Sequence, residues 1–259
     1  MPPRFIGVVH LPPLPGGPRP SPGLDAVIER AVADAETLAR GGADGLVVEN
    51  LGDAPFAAEQ VDPYTIAAMT RAVAAVRVAV PTLELGVNVL RNDAAAALSI
   101  AAATDASFIR INVHIGAMVT DQGLIQGQAR ETLLLRRRLA AEVKIVADVL
   151  VKHASPLGSP SLEDAARDTA ERGLADVLVV TGSGTGQPTD PNDLRRVHQV
   201  APDTPVWVGS GLTPETVQRF DRLDGAIVGT WLHRDGILDH PLELARVEAM
   251  RGALSPRRS

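Results

Sequence analysis

The sequence predicts a single (β/α)8 barrel, and three observations carry that expectation. Short Val/Ile-rich runs recur eight times, each followed by enough chain for a helix. Four of them are announced in the same way, by the end of a helical stretch, an aspartate, and then the strand: Asp44 before 45–50, Asp105 before 107–112, Asp176 before 177–181 and Asp224 before 225–230. Strands that alternate with helices pair in parallel through right-handed crossovers, and eight such units fit a chain of 259 residues as one barrel. Residues 1–259 are therefore read as one domain, with a frayed tail at 254–259.

The elements follow in order. The first strand, Phe5 to Val9, runs into His10-Leu-Pro-Pro-Leu-Pro15, which holds no phosphate-cradling glycines. That disfavours an open doubly wound sheet. Asp62-Pro63 supplies an N-cap with proline in the first helical turn, and Thr213-Pro214 offers the same. Gly41-Gly42 and Gly173 sit where helices stop. The alanine-rich run 94–103, flanked by Asp93 and Asp105, reads as a packed helix. Remaining strands are expected at 83–89, 143–151 and 206–210. The proline-rich stretch 11–22 and the segment 113–127 read as long strand-following loops, either lids or contact surfaces.

Composition excludes several classes. Lys+Arg is 25 against Asp+Glu 31, and aromatic residues are 3%, so the chain lacks the basic stripe and stacking surface of a nucleic-acid binder. There is no cysteine, which removes disulfides, thiolate metal sites and cysteine nucleophiles. No apolar run approaches the roughly 18 residues of a membrane span, and the N-terminal run is too short for a signal-peptide core. A cytoplasmic protein without a membrane partner is expected.

Alternation along the strands nominates the interior side chains. Strand three turns Glu84, Gly86 and Asn88 inward, strand four Phe108, Arg110 and Asn112, and strand five Lys144, Val146, Asp148, Leu150 and Lys152. An isolated buried charge costs several kcal/mol, so Arg110 is expected to bridge Glu84 and Asp148. Active sites of such barrels sit at the C-terminal rim. Asn88, Asn112, Asp148 and Lys152 are therefore candidates for catalysis, together with Glu49 and His10 at the ends of strands two and one. His10 reads either as a general base or as a structural residue. Lys152 reads either as a Schiff-base amine or as a donor to a phosphate or carboxylate. His114, His198, His233 and His240 are scattered and show no metal-binding spacing, so no protein-built metal cage is expected. No cofactor is expected beyond a Mg²⁺ carried in on a substrate phosphate.

Glycines close the last three strands: Thr181, Gly182 and Gly184 after strand six, Ser210 and Gly211 after strand seven, Gly229 and Thr230 after strand eight. Such loops let backbone N–H groups approach an anion, and loops seven and eight hold the phosphate in many barrels. The plainer reading is that these glycines only make tight turns.

The motifs His10-Leu-Pro-Pro-Leu-Pro-Gly16, Val48-Glu-Asn50, Gly52-Asp53-Ala-Pro-Phe56, Gly86-Val-Asn-Val-Leu-Arg-Asn-Asp93, Phe108-Ile-Arg-Ile-Asn-Val113 and Ala147-Asp-Val-Leu-Val-Lys-His-Ala154 resemble the BtpA/SgcQ family. So do Thr120-Asp-Gln-Gly123 with Gly127, Val180-Thr-Gly182 and Gly209-Ser-Gly211, in the same order along the chain. The resemblance implies a ribulose-phosphate-binding-type barrel. It supplies no agreed catalytic set: one member is associated with photosystem I biogenesis, while others look like enzymes of sugar or nucleoside metabolism. Residues and resemblance together give an expected enzyme acting on a phosphorylated sugar or a nucleotide- or nucleoside-like substrate by general acid/base chemistry. Isomerisation, lysis and N-glycosidic hydrolysis all remain open. The alternative is a non-catalytic biogenesis or assembly factor. A homo-oligomer is expected on general grounds.

Overall fold

In the computed structural model, which describes residues 3–139, 142–151, 153–182 and 188–255, alternation resolves into two apolar layers. Eight parallel strands close into a barrel in the order β1, β2, β3, β4, β7, β9, β10, β11. Their ranges are Arg4–His10, Gly45–Glu49, Glu84–Asn88, Phe108–Ile111, Lys144–Asp148, Val177–Val180, Val206–Val208 and Gly225–Val228. Outward residues such as Phe5, Leu46, Leu85, Ile109, Ile145 and Leu178 pack beneath the helices. Inward residues, among them Ile6, Val8, Val47, Phe108, Val146 and Trp207, form a separate inner cluster. Phe108 meets Trp207 edge-to-face at 6.1 Å. Glycine makes room for both rings, since a Cβ on Gly86 would fall 2.1 Å from Phe108 and one on Gly225 2.5 Å from Trp207.

The helices are α1 (Leu24–Arg40), α2 (Pro63–Ala79), α3 (Ala94–Ala103), α4 (Ala129–Arg138), α5 (Leu162–Arg167), α6 (Pro191–Val200) and α7 (Leu244–Leu254). α3 spans the alanine-rich run, and the Asp93 carboxylate accepts from the Ala96 N–H at 2.9 Å. Leu254 is buried at the end of α7, so the chain is anchored up to that residue; the rest of the expected frayed tail, 256–259, lies outside the described residues.

The recurrent aspartate has a physical reason. Asp44, Asp176 and Asp224 each precede a strand and accept the N–H of a residue at the start of the neighbouring strand. The partners are Phe5 at 2.7 Å, Ile145 at 2.7 Å and Val206 at 2.9 Å. Each satisfies a backbone donor at the barrel's N-terminal end, where the ladder supplies no partner. Asp105 departs from the pattern; it adopts a positive φ of 53°.

Two expectations are corrected. Thr213-Pro214 starts no α-helix: its unit is a single turn, Val217–Arg219, bracketed by reciprocal Thr213 and Thr216 bonds. The segment offers only Val217, Phe220 and Leu223 as sizeable apolar groups, too few to bury a helix face, and the Gln218 amide donates to the Ala253 carbonyl of α7 at 3.0 Å. The segment 113–127 is not a plain loop. It folds into a hairpin, β5 (Ala117–Thr120) and β6 (Gly123–Gln126), which pairs antiparallel with β8 (Ala154–Pro156). This small sheet buries Val113, Met118, Ile125 and Val151. The apolar pairs on either side of Asp121-Gln122-Gly123 were the hairpin signal.

Replacing Asp44 with alanine strands the Phe5 donor, and a lost partner for a buried group costs about 1–3 kcal/mol. Denaturant unfolding of D44A is expected to show a loss of that size. D44N, which keeps an acceptor, should lose clearly less; equal losses for the two would contradict the capping role.

Candidate active site

The strands end around a cavity of about 790 Å³ at the barrel's C-terminal mouth. His10, Glu49, Asn88, Arg110 and Asn112 line it from four consecutive strands and the end of β4, facing Ser210, Gly211, Gly229 and Thr230. The Asp121 turn of the β5–β6 hairpin and His153 reach it from above.

Arg110 organises the floor. It is buried, and donates Nε and Nη2 to the two Asp148 oxygens at 3.0 and 3.1 Å and Nη1 to Glu49 Oε1 at 3.1 Å. Burial by itself would depress the guanidinium pKa. The two carboxylates and their hydrogen bonds overcome that and hold it above its ordinary value. Asn112 Nδ2 donates to Asp148 Oδ2 at 2.9 Å, and Asn88 Nδ2 donates to Glu49 Oε1 at 3.2 Å.

The expected bridge to Glu84 is therefore corrected: the second carboxylate is Glu49. Glu84 begins β3 at the opposite end of the barrel, where it pairs with Arg4 and lies 3.9 Å from Lys144. Strand two has apolar residues on both faces, which left the parity of Glu49 unreadable. Asp148 points inward as expected, but its side chain is fully buried behind Arg110 and Asn112 and does not line the cavity.

The Asp148 carboxylate requires a donor from Asn112, so the amide's orientation is set and its Oδ1 is a buried acceptor with no partner among the described residues. Among the described residues, the side-chain hydrogen bonds to Glu49 go to Oε1. Across the cavity, Gly211 has a φ of +65°, and neither its N–H nor that of Thr230 donates to another described residue. Arg91 also lines the cavity, and burial lowers its guanidinium pKa, with Asp121 opposing.

His10 forms the wall on β1. Its Nδ1 lies 3.1 Å from His233 Nε2 with the rings stacked at 5.3 Å. A Cβ on Gly229 would lie 2.8 Å from the His10 ring. His233 is thus brought to His10 from far along the chain, and the His240 carbonyl meets His233, while His114 and His198 stay apart. Of the expected phosphate groups, Thr181 and Gly182 follow β9 but do not line the cavity. Gly184 and Lys152 lie outside the described residues.

Comparison with known proteins joins this geometry to a family. The BtpA family model matches residues 3–255. The chain is 48% identical over 251 residues to the photosystem I biogenesis protein BtpA of Synechocystis, covering 96% of this chain and 87% of that one. The chain belongs to the BtpA family.

Solved structures similar to this BtpA-family barrel include 3-keto-L-gulonate-6-phosphate decarboxylase from Vibrio cholerae, with a TM-score of 0.56, 15% identity and 98% of each chain covered. N-(5′-phosphoribosyl)anthranilate isomerase from Pyrococcus furiosus has a TM-score of 0.57 at 13% identity, covering 97% of this chain and 98% of that one. At such identities the likeness concerns the fold. Several motifs of the BtpA resemblance prove to fasten the rim. Asn50 Oδ1 accepts from Leu90 N–H at 2.8 Å, and its Nδ2 donates to Asp53, which in turn accepts from Leu14 N–H at 2.8 Å. Asn92 exchanges two bonds with the Val113 backbone at 2.9 and 2.8 Å.

Arg110→Met leaves Glu49 and Asp148 buried without their counter-charge, a change expected to cost about 3–5 kcal/mol. Equilibrium unfolding should show that loss, and the triple variant R110M/E49Q/D148N should recover much of it; full stability in R110M alone would remove the network from its central place.

Burial also lowers the pKa of His114, His198 and His233. The unfolded chain takes up these protons near the ordinary value of about 6.5, before the folded one does. Stability is therefore expected to be level above that pH and to fall as pH drops from about 6.5 toward the lowered native values. Melting temperatures between pH 8 and 5.5 check this, and a flat profile would contradict it.

Proposed function

We propose that this BtpA-family barrel is an enzyme acting on a phosphorylated sugar or a nucleotide-like compound by general acid/base chemistry. The observation that carries the reading is the polarity of the cavity lining: the Glu49 carboxylate on the floor, and the backbone N–H groups of Gly211 and Thr230 on the facing loops. Acceptors suit the hydroxyl groups of a sugar, and backbone N–H groups suit its phosphate. Arg110 gives Nε, Nη1 and Nη2 to carboxylates, so its part is to hold the floor rather than to take the phosphate.

The proton-transfer group best suited to the cavity is His10. A carboxylate bound by a guanidinium is a weak base, and Asp148 accepts on both oxygens from inside the protein. The His10 ring lines the cavity directly, and an imidazole can both accept and return a proton. Glu49 then orients hydroxyls, with Asn88 fixing its carboxylate. This set serves an isomerisation or a lysis, where one group moves a proton while polar neighbours stabilise developing charge. A divalent cation would enter on the substrate phosphate. Among the described residues, no three His, Asp or Glu side chains converge as a cage.

A second reading, an assembly factor without catalysis, is favoured by the role for which the Synechocystis relative is named, photosystem I biogenesis. A thermal-shift screen of sugar phosphates, nucleotides, free sugars and nucleosides separates the two. Phosphorylated compounds are expected to stabilise the protein, by about 2.7 kcal/mol at a hundredfold excess over Kd. Asn112→Leu and Gly211→Val should each weaken the best hit at least tenfold. Silence across the whole screen, with a protein partner that co-purifies in stoichiometric amount, would favour the assembly reading.

A further inference from the structure

One wall of the cavity is unlike the rest. Leu51, Ala54 and Phe56, on the segment that follows β2, and Leu90, just past β3, line it with apolar side chains. Among the described residues, none of these four belongs to an apolar cluster of the barrel. The other large apolar groups around the cavity are accounted for by packing. Val8 and Ile227 sit in the inner cluster, and Val228 and Leu212 in the outer one. Trp231 packs against the outer cluster, with Arg246 Cζ 5.2 Å from its ring centre. Phe56 is half-buried and stacks on no ring of the described residues. Apolar groups that fill no core gain their burial from whatever enters the cavity.

The wall is also held in place. Leu90 N–H donates to Asn50 Oδ1 at 2.8 Å, Arg91 N–H to the Ala57 carbonyl at 3.2 Å, and Val61 N–H to Asp93 Oδ2 at 3.0 Å. These bonds stitch residues 50–61 to the segment after β3, with Phe56 between two of the fastenings. On its other side Gly52 lets the segment lie against Pro13, whose nitrogen an added Cβ would approach to 2.3 Å. Behind the wall is a second cavity of about 280 Å³; Phe56 and Leu90 line both and so stand between them.

Taking the cavity as a sugar-phosphate site, we propose that this wall is a subsite for a planar aromatic or heteroaromatic group, so that the substrate is a phosphorylated sugar bearing a ring rather than a bare sugar phosphate. The placement follows from the barrel. β3 and β10 stand four places apart in the ring of eight strands, so the segments that follow them face each other across the mouth. A phosphate at the Gly211 and Thr230 N–H groups puts the sugar over Glu49 and its far end against Phe56 and Leu90. The cavity, about 790 Å³, lies in the upper part of the range of about 300–1,000 Å³ for sites that enclose drug-sized ligands. A bare sugar phosphate held at the β10 and β11 loops would leave the wall without a partner. Phe56 favours a ring over an aliphatic group: its flat face is fixed beforehand, and ring–ring contact adds to plain burial.

Calorimetric titration of the full-length protein with ribose 5-phosphate, phenyl β-D-riboside 5-phosphate and the nucleoside 5′-monophosphates tests this. At least one ring-bearing compound is expected to bind about ten times more tightly than ribose 5-phosphate, the size of effect that stacking on one aromatic side chain supplies. Phe56→Ala, and Phe56→Leu, which keeps apolar bulk without the ring, should each erase most of that ratio, while Phe56→Trp should keep it. Ribose 5-phosphate binding as tightly as every ring-bearing compound would overturn the subsite even if no variant folds, and would leave the sugar-phosphate reading standing. A folded Phe56→Ala with the ratio intact would overturn it too, as would binding by none of the ring-bearing compounds; the thermal-shift screen of sugar phosphates then judges the wider reading by itself.

Discussion

A guanidinium in the middle of a β-barrel is the constraint on which this molecule is built. Arg110 cannot lose its charge, and removing it from water is costly unless counter-charges with good geometry surround it. Glu49 on β2 and Asp148 on β7 supply them, and Asn88 on β3 and Asn112 at the end of β4 occupy further positions on the two carboxylates. The network crosses four adjacent strands, so the same contacts that neutralise the charge also hold one side of the mouth in register.

That arrangement divides the interior by function. On the β2–β7 side, the charges are spent on one another, which makes the floor rigid and sets the direction of each amide. On the β10, β11 and β1 side there are backbone N–H groups and an imidazole, groups suited to an anion and to proton transfer. A ligand spanning the cavity would meet acceptors at one end and donors at the other. The loops that frame it are fastened by Asn50, Asp53, Asn92 and Asp93, whose side chains take the place of backbone partners where the strands stop. These residues belong to the motifs that carry the family resemblance, yet their work is mechanical.

Much of this was legible in the sequence, for reasons that are local. The eight strands announce themselves as apolar runs, and the aspartate before three of them exists because the neighbouring strand's first N–H groups lack partners. Alternation is also local, so Arg110, Asn112 and Asp148 could be placed inside. The 113–127 hairpin was missed although its turn and its paired apolar residues were in view. The helix expected after Thr213 failed because a good start signal needs an apolar face to follow it.

The sequence by itself determined the fold class, the family and the inward placement of Asn88, Arg110, Asn112 and Asp148, because period and composition are properties of neighbours along the chain. The tertiary structure decided which inward groups meet. Strand stagger pairs Gly45 with Glu84 and Glu49 with Asn88, which puts Glu84 at the barrel's far end and Glu49 level with the guanidinium. His233 reaches His10 across 223 positions only because β11 closes the ring against β1. Register and closure depend on how all eight strands tilt together, and no single segment encodes that.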